Sequence, residues 1–251
     1  MRIIINADDL GGSASVNDAV FRLMGDGRIT SATLLANGPA IEDAGARLKE
    51  FPQCSFGVHL NLSEFKPLSG DPRLRPLCGD DEEMIENRIR EVPLGADLKA
   101  GILSELSAQI KHLRDLGVPL SHIDSHQHVH TIPGLLGVVK QIQKRFGLRR
   151  IRISRNFFAA GCWPKSTRQM QKRVYNFCLR RWGGSRTVSG FTNFASFLPS
   201  AAEAHRRHPT MELMCHPGHA SPSYTEESRL LATDWRADLP FECQLISYHE
   251  L

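Results

Sequence analysis

The sequence predicts an α/β fold built on a parallel sheet. Three observations carry that expectation. Short runs rich in Ile, Val and Leu alternate with segments of helical periodicity, the pattern of repeated βα units. The first run, Arg2 to Ala7, is apolar at the consecutive positions Ile3, Ile4 and Ile5, as suits a strand covered on both faces. The length, 251 residues, fits a single α/β barrel or two small domains. No linker, repeat or low-complexity tract divides the chain, so one domain over residues 1–251 is expected.

The elements follow in order. After the first strand, Val16, Ala19, Val20 and Leu23 mark a helix from about Ser15 that stops at Gly25 and Gly27. A strand is expected at about Ile29 to Ala36, a helix at Ile41 to Phe51 and a third strand at Ser55 to Leu62. The loop from Ser63 to about Asp80 is long enough to suggest a functional segment such as a lid. A long helix from about Asp97 to Leu116 carries the stripe Leu98, Ile102, Leu106, Ile110 and Leu113. Strand four is expected at Leu120 to Asp124, then a helix at Gly134 to Phe146, a strand at Arg150 to Ser154 and a basic helix at Thr167 to Trp182. Residues 183–200 show no clear pattern, and late strands are expected at Thr210 to Cys215 and Gln244 to Tyr248.

Composition narrows the class. With 41% hydrophobic and 23% charged residues, the chain can bury a core and is not intrinsically disordered. No apolar run is long enough to span a bilayer, and the N-terminus lacks the apolar stretch of a secretion signal. The six cysteines form no C-x-x-C pair, so reduced thiols in a cytoplasmic protein are expected. The net charge of +4 conceals an asymmetry. From Ser125 to Ala202 there is no Asp or Glu, against 14 Lys and Arg. That block reads either as a solvated face balanced elsewhere or as an attractor of anions. Aromatic residues are not interleaved with the basic ones as in single-strand binders, so nucleic acid is an unlikely partner.

Four polar clusters sit at or just past the C-terminal ends of expected strands, where α/β folds build their sites. They are Asn6-Ala7-Asp8-Asp9, His59 with Asn61, the run from Asp124 through His126, His128 and His130, and His216-Pro217-Gly218. Asp8 and Asp9 repel each other if both are buried and ionised, and a divalent cation removes that cost; either could instead cap the next helix. His122, Asp124, His126, His128 and His130 share parity and face one side while the chain stays extended. Imidazole is the commonest ligand of catalytic zinc. Asp8 or Asp9, His59 and this cluster can therefore assemble two histidines and a carboxylate around one metal ion. His216 would add a titratable group, or it is only a turn residue. No phosphate-binding G-x-x-x-x-G-K-[ST] or G-x-S-x-G motif is present.

These residues resemble the YdjC-like carbohydrate deacetylases, a family that takes in chito-oligosaccharide and hopanoid-biosynthesis deacetylases. The resemblance rests on Asn6-Ala7-Asp8-Asp9-Leu10-Gly11, Ile29-Thr30-Ser31-Ala32-Thr33 with Asn37-Gly38, Gly57-Val58-His59-Leu60, His122 through His130, Cys215-His216-Pro217-Gly218 and Ile246-Ser247-Tyr248. It spans nearly the whole chain. Leu10 stands where Phe is more usual. The resemblance implies a distorted or incomplete (β/α) barrel and hydrolysis of the N-acetyl group of an amino sugar. Carried over by motif, Asp9, His59 and His126 would hold one divalent ion, zinc or magnesium. Asp8 would be the general base toward a metal-activated water and His216 the general acid. Asp124, His128 and Arg152 are expected behind the ligands or against substrate.

The resemblance implies an N-acetylated sugar as substrate, with lipid-linked and anionic forms among the options, and leaves an oligomer open. Two other readings stay open: a metal-dependent hydrolase of another bond, such as a phosphoester, and a non-catalytic sugar- or anion-binding protein.

Overall fold

The computed structural model describes residues 1–159 and 161–251. Eight parallel strands, β1 (Arg2–Leu10), β2 (Ser31–Leu34), β3 (Ser55–Leu60), β4 (Leu120–Ser125), β5 (Arg150–Ile151), β6 (Gly190–Asn193), β7 (Thr210–Cys215) and β8 (Gln244–Leu245), form one sheet. Seven follow the order β5-β4-β3-β2-β1-β7-β6, and β8 pairs with the start of β1. The helices are α1 (Ala14–Gly25), α2 (Ile41–Arg47), α3 (Ala96–Asp115), α4 (Leu136–Phe146), α5 (Ser166–Arg181), α6 (Phe194–Phe197), α7 (Ala201–Arg207) and α8 (Pro222–Leu231).

The two ends of this path meet without a regular ladder, so the barrel is distorted. The Ile151 amide donates to the Arg186 carbonyl, and that of Arg186 to the Arg149 carbonyl. Higher up, the Phe157 amide reaches the Phe191 carbonyl at 3.3 Å, and the Asn156 side chain accepts from the Phe191 amide at 2.8 Å. A side chain thus replaces part of the missing backbone pairing. The expected strand from Arg150 to Ser154 pairs as a strand only at Arg150 and Ile151.

β1 is central and, apart from its first residue, buried along its length, as the Ile run predicts. The stripe of α3 is buried at all five expected positions. The loop after β3 is held in place: buried Glu105 of α3 accepts from the Leu68 and Ser69 amides at 3.1 and 2.8 Å.

Polar groups fill the barrel's interior. Arg152, Tyr248 and His122 are completely buried. After β8, the chain crosses the N-terminal end of the barrel, and the Tyr248 amide donates to Ser55 Oγ at 2.9 Å. The Tyr248 ring stacks on His122 at 3.6 Å. Gly57 makes room for this stack, since a Cβ there would lie 2.5 Å from the His122 ring. No helix among the described residues is long and apolar enough to cross a membrane.

Candidate active site

Period-two alternation should send Asp8 and Asp9 to opposite faces of β1. A register shift between Ala7 and Leu10 breaks the alternation, and Asp9 adopts a left-handed backbone with φ of 66°. Both carboxylates consequently line one cleft of about 640 Å³ at the C-terminal mouth of the barrel. His59 comes from β3 and sits in register with Asp124 of β4. His126 follows β4, and His216 follows β7.

Asp9 Oδ1 lies 3.1 Å from His59 Nε2 and 2.8 Å from His126 Nδ1. The three donor atoms fall within 4.8 Å of one another, as a shared ion requires. One carboxylate and two imidazoles with an open side suit a divalent cation. The other nitrogen of each imidazole is held. Asp124 Oδ1 lies 2.7 Å from His59 Nδ1, and Glu64 Oε2 lies 3.1 Å from His126 Nε2. Fixing one ring nitrogen fixes which nitrogen faces a metal. Asp8, His59 and Asp124 also cluster closely enough for an ion, but the Arg152 guanidinium already lies against both of those carboxylates.

Beneath the mouth, Arg152 gathers three carboxylates, each at 2.7 Å: Asp8, Asp124 and Glu212. Asn6 donates to Asp8 Oδ1 at 2.9 Å, and Thr33 to Asp124 Oδ2 at 3.0 Å. Burial raises the Asp8 pKa, but Arg152 outweighs it and holds the carboxyl well below the usual range. Burial likewise opposes the low pKa of Asp9, and the His126 hydrogen bond with the His219 and His59 imidazoles against the carboxylate overcomes it. Burial pushes Glu212 up to about 7 despite Arg152.

The histidines divide into two groups. Burial disfavours charge on all of them. At His59 the Asp124 charge and hydrogen bond, with Asp9 and Asp8, reverse this and push the pKa up to about 10. At His126, hydrogen bonds to Asp9 and Glu64 do the same, to about 9. His122, His128 and His130 have no such partner strong enough, so burial and the Arg152 charge keep them neutral.

The shared parity from His122 to His130 does not produce one histidine face. The chain leaves the strand after Ser125, and Gln127 and His128 turn left-handed with φ of 48° and 56°. His122 points into the barrel, His126 reaches Asp9, and His128 lines the cleft with Nδ1 unpartnered among the described residues. His130 turns back, its Nδ1 paired with the Ser125 hydroxyl and its Nε2 near the Arg152 carbonyl.

His216 Nε2 lies 4.0 Å from Asp8 Oδ2 across the cleft. Its amide donates to Glu227 Oε2 at 2.8 Å, and Tyr224 stacks on its ring at 4.5 Å. Burial lowers its pKa, partly offset by Asp8 and Asp9. Gly218, with φ of 83°, lets this loop close on α1: a Cβ there would sit 2.4 Å from the Ser15 carbonyl oxygen.

Sequence reasoning missed three cleft residues. His219 Nε2 lies 3.2 Å from Asp9 Oδ2, and Glu64 and Tyr224 contact His126 and His216. The only signal for His219 is its spacing three residues past His216.

Comparison with known proteins gives the family and the fold. The family of YdjC-like proteins matches residues 2–244. A carbohydrate deacetylase of Geobacillus stearothermophilus is 38% identical over 154 residues, 61% of this chain and 60% of that protein. The chain spans about three fifths of the length of the carbohydrate deacetylases it matches over this stretch. A chitooligosaccharide deacetylase of Salmonella paratyphi B is 32% identical over 219 residues, 86% of this chain and 81% of that one. A solved structure from Enterococcus faecalis, named for cellobiose-phosphate cleavage, superposes with a TM-score of 0.79. It covers 99% of this chain and 98% of its own at 21% identity, a likeness of fold.

Proposed function

This chain belongs to the YdjC-like family, and on that premise we propose that it is a metal-dependent carbohydrate N-deacetylase folded as one domain over residues 1–251. The observation that carries the reading is the convergence of Asp9, His59 and His126, with Asp8 and His216 on either side of the same cleft. The deacetylase names of its relatives supply the substrate class, an N-acetylated amino sugar.

Asp9 Oδ1, His59 Nε2 and His126 Nδ1 would hold one divalent ion. Such an ion lowers the pKa of a water and draws charge from an amide carbonyl. Asp8 takes the proton of the attacking water. Its two hydrogen bonds to Arg152 keep it ionised and aimed, and that same pairing makes it too weak a base for bulk water. His216, across the cleft, delivers a proton to the departing amine nitrogen. Burial makes its imidazolium a stronger acid at the cost of the protonated fraction, which the Asp8 and Asp9 charges partly restore. Asp124 orients His59, and Arg152 positions Asp8 from below. His128 lies at the cleft wall with its Nδ1 buried and unpartnered among the described residues, so it shapes the wall beside the substrate.

The cleft chemistry disfavours phosphoester hydrolysis. Its lining includes Asp8, Asp9, Glu64 and Glu86 and, among the described residues, no Lys or Arg. A phosphate would have only the histidines and the bound ion to balance its charge against four carboxylates, whereas a neutral acetamido group needs no further cation.

The test replaces His59 or His126 with Ala. Metal content and acetate release from N-acetylglucosamine oligomers should both fall to background, with phosphate release from sugar phosphates absent throughout. Retention of metal and acetate release by both variants would overturn the assignment.

A further inference from the structure

The acid-free block of the sequence runs from the cleft residues His126 to His128 through α4, β5, α5 and β6, and its exposed part with apolar side chains is α5. Six large apolar side chains are well exposed among the described residues, and four of them belong to α5 or its end. Met170, Val174 and Phe177 are 57%, 54% and 64% exposed, and Trp182 is 57% exposed. The first three stand at i, i+4 and i+7, one row on the face opposite buried Tyr175, Asn176 and Leu179. A helix anchored by one face alone leaves that row without a partner.

Cations surround the row. Among the described residues, Arg168, Lys172, Arg173 and Arg181 pair with no carboxylate. A cavity of about 420 Å³ on the flank of α5 is lined by Arg155, Lys172, Arg173, Arg180, Arg181 and Arg207, and by no acid. Burial pushes Lys172 down to about 8, and Arg168, Arg155 and Arg90 add repulsion. Arg207 pairs with Glu203 at 2.8 Å, and Arg155 and Arg180 donate to carbonyl and hydroxyl oxygens, which leaves Arg168, Lys172, Arg173 and Arg181 as the cations without a carboxylate.

We propose that the exposed face of α5 docks on a lipid surface carrying anionic headgroups, with Met170, Val174 and Phe177 at the acyl boundary and the basic cavity receiving a headgroup phosphate. An apolar row bordered by Lys and Arg, with Trp at one end, is the pattern of an interfacial helix. The alternatives fit less well. A second copy of this chain would set Arg173 and Arg181 against the same cations. A nucleic acid would match the charge but leave Met170 and Val174 with nothing to stack on. Lys172 also lines a smaller cavity with Arg90 and Arg168. Arg90 donates to the Gln127 carbonyl at 2.6 Å, and Gln127 lines the active cleft. The inference stands independently of the reaction catalysed.

The experiment is flotation of the full chain with phosphatidylcholine vesicles, with and without phosphatidylglycerol, at low and high salt. Binding should need phosphatidylglycerol and weaken with salt. The pair Arg173→Gln and Arg181→Gln should lower partition about 25-fold, about fivefold per cation. The triple Met170→Ser, Val174→Ser, Phe177→Ser should lower it at least about tenfold, with unchanged circular dichroism confirming the fold. The proposal fails if the protein does not float with anionic vesicles at low salt. It also fails if both variants bind as the parent does, if nucleic acid binds while vesicles do not, or if the face proves to be a dimer contact that the triple variant abolishes.

Discussion

The mouth of the barrel and the outer face of α5 handle charge in opposite ways. At the mouth, every buried carboxylate has a partner. Arg152 serves Asp8, Asp124 and Glu212, while His59, His126 and His219 surround Asp9. On α5, the cations Arg168, Arg173 and Arg181 stand beside exposed apolar side chains without a countercharge of their own. Burial explains the contrast, because an unpaired charge inside the barrel costs several kcal/mol whereas one in water costs little. Charge held inside at that cost points to chemistry within the site. Charge left outside points to something the protein meets.

The sharpest way to break the comparison is at Arg152. Replacing it with Met should destabilise the fold by about 3–5 kcal/mol, since three buried carboxylates lose their cation. Lys should restore only part, because one ammonium cannot reach all three in the plane of a guanidinium. Urea unfolding of the two variants measures both effects. Destabilisation under about 1 kcal/mol for Met would mean that the mouth is not a compensated network.

The same network sets a pH dependence. In the metal-free protein His59 and His126 titrate at about 10 and about 9, above the ordinary 6.5. Raised values favour the folded state below pH 6.5, and that stability is lost as pH climbs through 9 and 10. A divalent ion must displace both protons, so near pH 7 its uptake should release about two protons and its affinity should rise about a hundredfold per pH unit. Calorimetry in buffers of different ionisation enthalpy counts the protons. A count near zero would show that the imidazoles are already neutral.

Much of this was legible in the sequence. The Ile run, the α3 stripe and the polar strand ends located the sheet and most of the mouth, because burial on both faces and metal-binding side chains leave compositional traces. Three parts were not legible. β6 is four residues, Gly190–Asn193, too short for a period to show. α8 carries Thr225, Glu226, Glu227 and Ser228 in its middle, so its burial through Glu227 and Leu231 leaves no apolar stripe. The histidine run failed as a single face because Gln127 and His128 turn left-handed; His is only enriched in that conformation, a far weaker signal than Gly gives, and Gln gives none. Asp9 hides the same way: its φ of 66° puts both aspartates on one side, against the alternation.

Asp124 tests the compensated side more gently. Asp124→Asn keeps the shape next to His59 Nδ1 but loses the charge that fixes that ring. Metal affinity or acetate release should drop about 10–100-fold with secondary structure intact. A titration of the purified variant with metal separates the two readouts. No change in either would remove Asp124 from the positioning of His59.

The smallest expected effect lies on the other side of the comparison. Val174 and Phe177 are more than half exposed, and their row faces away from the helix side that packs on the barrel. Converting both to Ser removes apolar surface that folding did not bury, so stability should change by no more than about 0.5 kcal/mol, and metal content should not change at all. Thermal unfolding is the check. A loss of about 2 kcal/mol or more would mean that these side chains are part of the packed structure. The outer face of α5 would then belong with the mouth as a region built for the fold itself, and the contrast drawn from charge would not hold.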